Sequence, residues 1–225
     1  IEVLKKENAD VIGLIETYGS GAIIADSLGY YFYLISSNLS IMSRYPIDET
    51  IQLFRSFNSG GALIRISEEQ QIAFYDIWLH YLPDVSDLNK GKAAVKKYEE
   101  DEAQTRIPEI REILKQMTPH TAQSAETPVI LVGDFNCDSH LDWNEQARPT
   151  HLGAFAKLEV SRQVLNEGFT DSFRHLYPDV LLNQGATWSP LINLGSKKLS
   201  CLPQRIDYIY YKGDKLIPYR SETLS

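Results

Sequence analysis

The segment Pro128–Asn136, PVILVGDFN, constrains the fold more than any other run in the chain. Its four consecutive apolar residues, Val129 to Val132, read as a buried strand. Gly133 ends the run, and an acid and an amide follow with one residue between them. On an extended chain alternate residues share a face, so Asp134 and Asn136 are expected to point together from the strand's C-terminal end. A carboxylate and a carboxamide placed there can hold a metal ion, a water and a phosphate oxygen. The alternative is an Asx turn, in which both side chains bond their own backbone.

Around this strand the sequence alternates strands with inserted helices. Residues 1–9 read as a helix, and Asp10–Ile15 as a buried strand ending at Glu16. Gly19, Ser20 and Gly21 mark a loop. Tyr30–Ile35 is aromatic and β-branched, a strand, and Leu39–Ser43 is a short apolar run before Arg44-Tyr45-Pro46. Gly60–Ile66 and Ile72–Leu79 pair as a hairpin across Ser67–Gln70. The longest helical signal lies in 88–117, where Ile107, Ile110, Leu114 and Met117 form an apolar stripe. The charge run 96–102 before it reads as a solvated helix face. Thr118–Thr127 is a polar loop. Residues 153–167 read as a second helix with Phe155, Leu158, Val164 and Leu165 on or near one side, and Ile206–Tyr211 as a late strand. One α/β or α+β domain over 1–225, with a mixed-sheet core, follows from this order.

Charge narrows the partners. Thirty acidic residues against 22 basic ones leave a net charge of -8. Nucleic-acid binders draw most of their affinity from phosphate neutralisation, so this balance argues against an extended nucleic-acid interface. It does not exclude a local carboxylate cluster that holds a metal. No run approaches the roughly 18 apolar residues of a membrane span. The opening residues Ile1–Lys6 resemble the middle of a helix rather than a signal peptide. The chain is therefore expected to begin inside a domain, the compartment stays open, and a monomer is the simplest expectation. Cys137 and Cys201 are consistent either with a pair or with two buried thiols.

Several strand ends carry polar residues that packing does not require. Glu16 follows DVIGLI, His80 follows Ile77-Trp78-Leu79, and Asp134 and Asn136 follow VILV. Asp207 sits within Arg205-Ile206-Asp207-Tyr208. Active sites built at the ends of neighbouring strands have this pattern. Taken singly each residue has an ordinary reading: a solvated Glu16, a half-buried His80, a structural Arg205–Asp207 pair.

The joint order resembles the endonuclease/exonuclease/phosphatase (DNase I-like) superfamily. The matching pieces are DVIGLIE (10–16), IMSRYPI (41–47), WLH (78–80), VGDFN (132–136), DSFRHLYPD (171–179), TWSP (187–190) and RIDYIYYKG (205–213). The resemblance implies a four-layer α/β sandwich, with two mixed sheets packed face to face and helices outside. It also implies phosphoester hydrolysis with a divalent metal, Mg²⁺ or Mn²⁺. By motif position, Glu16 is the metal ligand and Asp134 orients or deprotonates the attacking water. Asn136 donates to a non-bridging phosphate oxygen, His80 lies near the leaving group or phosphate, and Asp207 orients the last catalytic histidine. These residue types suit the chemistry, because phosphoryl transfer needs charge stabilisation on the equatorial oxygens and an in-line water.

Two family motifs have no match here: an Asn-bearing strand before the opening helix, and a Ser-Asp-His after Glu222. None of the five histidines follows Asp207. The resemblance thus implies that residues 1–225 alone are truncated at both ends and inactive. Candidate substrate contacts are Arg44, Trp143 and Trp188, with His140, Asp142 and His151 as a second metal or substrate subsite. The loops expected to set specificity are 17–29, 48–60, 81–106, 137–152 and 191–204, the last carrying the basic pair Lys197-Lys198. Three functions remain: hydrolysis of a small or lipid-linked phosphate ester, cleavage of DNA or RNA, and non-catalytic binding on the same fold.

Overall fold

The computed structural model describes residues 1–53, 55–188 and 203–224. In chain order the first elements are α1 (Glu2–Glu7), β1 (Val11–Ile15), α2 (Gly21–Leu28), β2 (Tyr31–Ser36), β3 (Leu39–Ser43), β4 (Ile47–Gln52), β5 (Ser59–Arg65) and β6 (Gln71–Trp78). Then come α3 (Lys92–Glu102), α4 (Arg106–Thr121), β7 (Val129–Asp134), α5 (Glu159–Asn166), β8 (Thr170–Asp171), α6 (Ser172–Leu176) and β9 (Asp207–Lys212). They fall into two compact units. The first comprises residues 1–78, 115–134 and 209–217, and the second 79–114, 135–208 and 218–225.

The first unit holds two sheets. One is antiparallel, in the order β1-β3-β2, with Val11 opposite Ser43 and Phe32 opposite Met42. The other runs β4-β5-β6-β7 and continues to β9. Its β5–β6 pair is the expected hairpin, and β7 joins β6 in parallel, from Ala73–Val129 to Trp78–Asp134. Ile41 from one sheet and Ala62, Ile64, Phe74 and Val132 from the other form a buried cluster between them. Burying each large apolar side chain contributes roughly 1.5–3 kcal/mol, so this layer holds the sheets together. Gly13 lets them approach. A Cβ on it would lie 2.6 Å from Val132 Cγ2.

The helical readings needed correction in detail. The expected loop 17–29 holds a helix: Gly19 stays in the turn, and α2 opens at Gly21. Gly21 gives α2 room against Ser40 and Phe32, and Gly29 closes it in a left-handed turn. The expected loop 48–60 contains most of β4. The 88–117 signal divides into a 3₁₀ turn (Val85–Lys90), α3 and α4, with Gly91 at φ +100° between the first two. Within the charge run, Tyr98 and Glu102 are buried one turn apart while Lys96, Lys97 and Glu100 face solvent. The second helix starts only at Glu159, which leaves Phe155 and Leu158 outside it. Cys137 is buried; Cys201, Lys197 and Lys198 lie outside the described residues.

Gly133 is the tightest point of the second sheet. Its φ is +140°, and a Cβ there would stand 1.9 Å from the Ile77 carbonyl oxygen. Gly133→Ala is expected to lower unfolding stability by roughly 3 kcal/mol or more in chemical denaturation. Gly29→Ala, left-handed but in open space, should cost only about 1 kcal/mol. Equal losses from the two would contradict this reading of the strand.

Candidate active site

The first unit places Glu16 and Asp134 at strand ends. Glu16 directly follows β1, is exposed, and takes a left-handed φ of +57°. Tyr18 and Gly19 are also left-handed, at +47° and +88°. A non-glycine residue in that region costs on the order of 1 kcal/mol, so the turn needs anchors. Glu16 N–H donates to Asn38 O at 2.7 Å, and Gly19 N–H to Ser37 O at 3.0 Å. The Tyr18 hydroxyl folds back to donate to Glu16 Oε1 at 2.8 Å. That bond and the carboxylate's charge push the Tyr18 phenol's pKa upward. Asp134 is the last residue of β7 and is half-buried.

In the second unit the segments bearing Asn136 and Asp207 are stitched together. Phe135 N–H donates to Ile206 O at 2.8 Å. The Tyr208 hydroxyl lies 3.0 Å from Cys137 O and 2.6 Å from Arg205 O, and its ring meets Phe135 edge-on at 5.2 Å. Thr187 Oγ1 accepts from both Ile206 N–H and Asp207 N–H at 3.1 Å. Asn136 has a φ of +52°, and its Nδ2 donates to Leu79 O at 2.9 Å. Its backbone is therefore not extended, and the alternating-face argument stops at Asp134. Asp207 opens β9 and is exposed.

His80 is half-buried and held through its backbone. Its N–H donates to Glu109 Oε2 at 2.9 Å, and Arg106 Nη1 donates to its carbonyl at 3.1 Å. Its Nδ1 lies 3.0 Å from Leu82 N and 3.1 Å from Leu82 O, so the Leu82 backbone holds the ring in either neutral tautomer. The ring stacks on Tyr81 at 5.0 Å.

The candidate substrate contacts fare differently. Arg44 is engaged locally: its guanidinium donates to Asn8 Oδ1 at 2.7 Å and Tyr30 Oη at 3.0 Å, and faces Asp10 at 3.3 Å. Trp143 is corrected outright. It is 2% exposed, its Nε1 donates to Asp138 Oδ2 at 2.8 Å, and His151 covers it at 3.8 Å. No base or sugar can stack there. Nor do His140, Asp142 and His151 form a metal subsite. Asp142 faces Arg174 at 2.5 Å and Arg205 at 2.9 Å. His140 is tied to Ser161 Oγ, and burial lowers its pKa to about 4, so it is neutral. His151 Nε2 points to Asp142 O at 3.3 Å. Trp188 is half-buried and bridges Gln204 through its backbone. Arg205 pairs with Asp142 and Asp171, at 2.9 and 2.8 Å, so the Arg205–Asp207 pair is replaced by a buried clamp.

Comparison with known proteins settles the family. A family model for the endonuclease/exonuclease/phosphatase family matches residues 1–225. The chain belongs to that family. Phosphoester hydrolysis is the chemistry of its members, and divalent metals serve them generally. A Caenorhabditis elegans protein of uncharacterised function is 28% identical over 231 residues, covering 97% of this chain and 73% of its own. An AP endonuclease from Archaeoglobus fulgidus superposes with a TM-score of 0.62 at 14% identity, over 94% of this chain and 79% of that one. Truncated C. elegans TDP2 gives 0.59 at 15%, over 95% and 75%. A 3' phosphatase from Neisseria, NExo, solved with product DNA, gives 0.56 at 16%, over 94% and 79%. The two-sheet sandwich with helices is the DNase I-like fold.

Among the described residues of this family member, no three His, Cys, Asp or Glu side chains cluster to hold a metal. Mg²⁺ needs no such cluster, because it binds through one or two carboxylates plus waters and substrate phosphate.

Asp138 was not singled out by its residue type or spacing. It is 4% exposed and accepts from Trp143 Nε1 and Gln204 Nε2, both at 2.8 Å. Burial raises its pKa from 3.8 to about 7. The folded state then binds more protons than the unfolded one between these values, so stability falls as pH rises through that window and the full penalty stands above it. Asp138→Asn keeps an acceptor for both donors. It should gain stability over the parent, on the order of a few kcal/mol, between about pH 5 and pH 8. Parallel pH profiles in chemical denaturation would count against a buried, protonated Asp138.

Proposed function

We propose that this protein is a Mg²⁺-dependent phosphoester hydrolase acting on a small-molecule or lipid-linked phosphate ester. The observation that carries the reading is the stitched pair of segments bearing Asn136 and Asp207, one of which runs directly on from Asp134 at the end of β7. The net charge of -8 favours a compact phosphoester over an extended polyanion.

In this reading Asp134 orients the attacking water and takes its proton. Asn136, neutral and fixed by Leu79 O, donates to a non-bridging oxygen without adding repulsion. His80 lies near the leaving oxygen or the phosphate, its Nδ1 held against the Leu82 backbone. Asp207 orients a basic partner. Glu16 holds the cation, which supplies charge neutralisation at the phosphate when bound.

A nuclease is the second reading. What favours it is the company this fold keeps: the Neisseria 3' phosphatase was solved with a product DNA hairpin and a zebrafish TDP2 with a single-strand DNA product.

The natural gene product should be assayed with Mg²⁺ on bis-p-nitrophenyl phosphate, p-nitrophenyl phosphate and abasic-site DNA. Turnover of a small ester that EDTA abolishes, and that Asp134→Ala reduces by about 10²–10⁴-fold, is the expected result. Turnover on DNA alone selects the second reading. Activity that survives both EDTA and Asp134→Ala removes the assignment.

A further inference from the structure

Tyr18 stands 71% exposed, so its ring adds little to the core, and yet the backbone at this position is left-handed. A bulky residue takes that conformation only where its surroundings impose it. The turn is pinned from outside by Asn38 O and Ser37 O, and from within by Ser20 N–H donating to Thr17 O at 2.9 Å. One consequence of this path is that the tyrosine hydroxyl returns to Glu16 Oε1 at 2.8 Å. No other described side chain bonds that carboxylate.

We propose that Tyr18 is a positioning residue that presets the Glu16 carboxylate for a divalent cation. The proposal rests on Glu16 being the cation ligand. An exposed glutamate samples several rotamers, and a cation that binds it must first freeze them. The phenol O–H removes part of that freedom in advance, which is how preorganisation raises affinity. It also occupies Oε1 and leaves the second oxygen of an exposed carboxylate to the cation. A single carboxylate oxygen is what an octahedral Mg²⁺ with several retained waters accepts. Phenylalanine at this position would keep the ring and the turn while losing only the donor.

The test is a calorimetric Mn²⁺ titration of the natural gene product, of Tyr18→Phe and of Glu16→Gln, with thermal unfolding of each. Expected is Mn²⁺ binding weakened roughly 3- to 10-fold in Tyr18→Phe, with unchanged stoichiometry and melting temperature, a loss the size of one typical solvent-exposed hydrogen bond. Glu16→Gln should abolish binding at the site. Turnover of Tyr18→Phe should recover fully at higher Mg²⁺, which a merely structural defect would not do. If Glu16→Gln abolishes binding and Tyr18→Phe binds as tightly as the parent, the positioning role is wrong and the Glu16 assignment stands. If Glu16→Gln binds Mn²⁺ normally, the ligand assignment falls and the positioning role with it.

Discussion

Arg205 is the side chain on which the second unit's geometry depends. It is 4% exposed and lies between Asp142 and Asp171, with its guanidinium 4.5 Å above the Tyr208 ring. Such a charge is tolerated only when its partners compensate for lost hydration, and removing one partner typically costs about 3–5 kcal/mol. Compensation here is shared. Asp142 also faces Arg174, whose other nitrogens donate to the carbonyls of Tyr177, Asn183 and Gln184. Asp171 caps α6 by accepting from Phe173 N–H and Arg174 N–H. The clamp therefore fixes α6, the turn after it and the start of β9 at once. Asp207 follows Arg205 by two residues and inherits that order.

This clamp separates two kinds of carboxylate. Asp138, Asp142 and Asp171 are buried or nearly so, and arginine, tryptophan or glutamine donors occupy them. Their task is to hold loops. Glu16 and Asp207 are exposed at strand ends, and Asp134 is half-buried at another. A carboxylate already neutralised by a guanidinium gains little from a cation, whereas a solvated one at a preformed turn does. The proposed function accordingly places the cation at Glu16, which is exposed and takes only the Tyr18 hydroxyl among the described side chains.

Much of the sheet structure was legible because apolar runs leave a direct trace in sequence. VILV, DVIGLI and the 60–79 hairpin fell where expected, to within a residue or two, although the DVIGLI strand is half-buried throughout rather than buried. Glycines misled where they serve packing rather than turning, as Gly21 does at the start of α2. Of the candidate residues, Glu16, Asp134 and Asp207 do lie at strand ends, as their sequence positions led one to expect. Trp143, Asp142 and the two histidines were misjudged because polar type alone does not reveal a buried partner far along the chain. Trp143 finds Asp138 and His151; Asp142 finds Arg174 and Arg205. Asn136 was misread for a local reason, since its left-handed backbone breaks the period-two rule one step after Asp134.

On the proposed function, the cation sits at the exposed Glu16 carboxylate, and the buried, donor-occupied carboxylates Asp138, Asp142 and Asp171 take no part. Anomalous difference density from crystals soaked in Mn²⁺ tests it directly, and independently of substrate. The account predicts a peak against the Glu16 carboxylate and none among Asp138, Asp142 and Asp171. A peak within that buried group, or none beside Glu16 at saturating Mn²⁺, would contradict it.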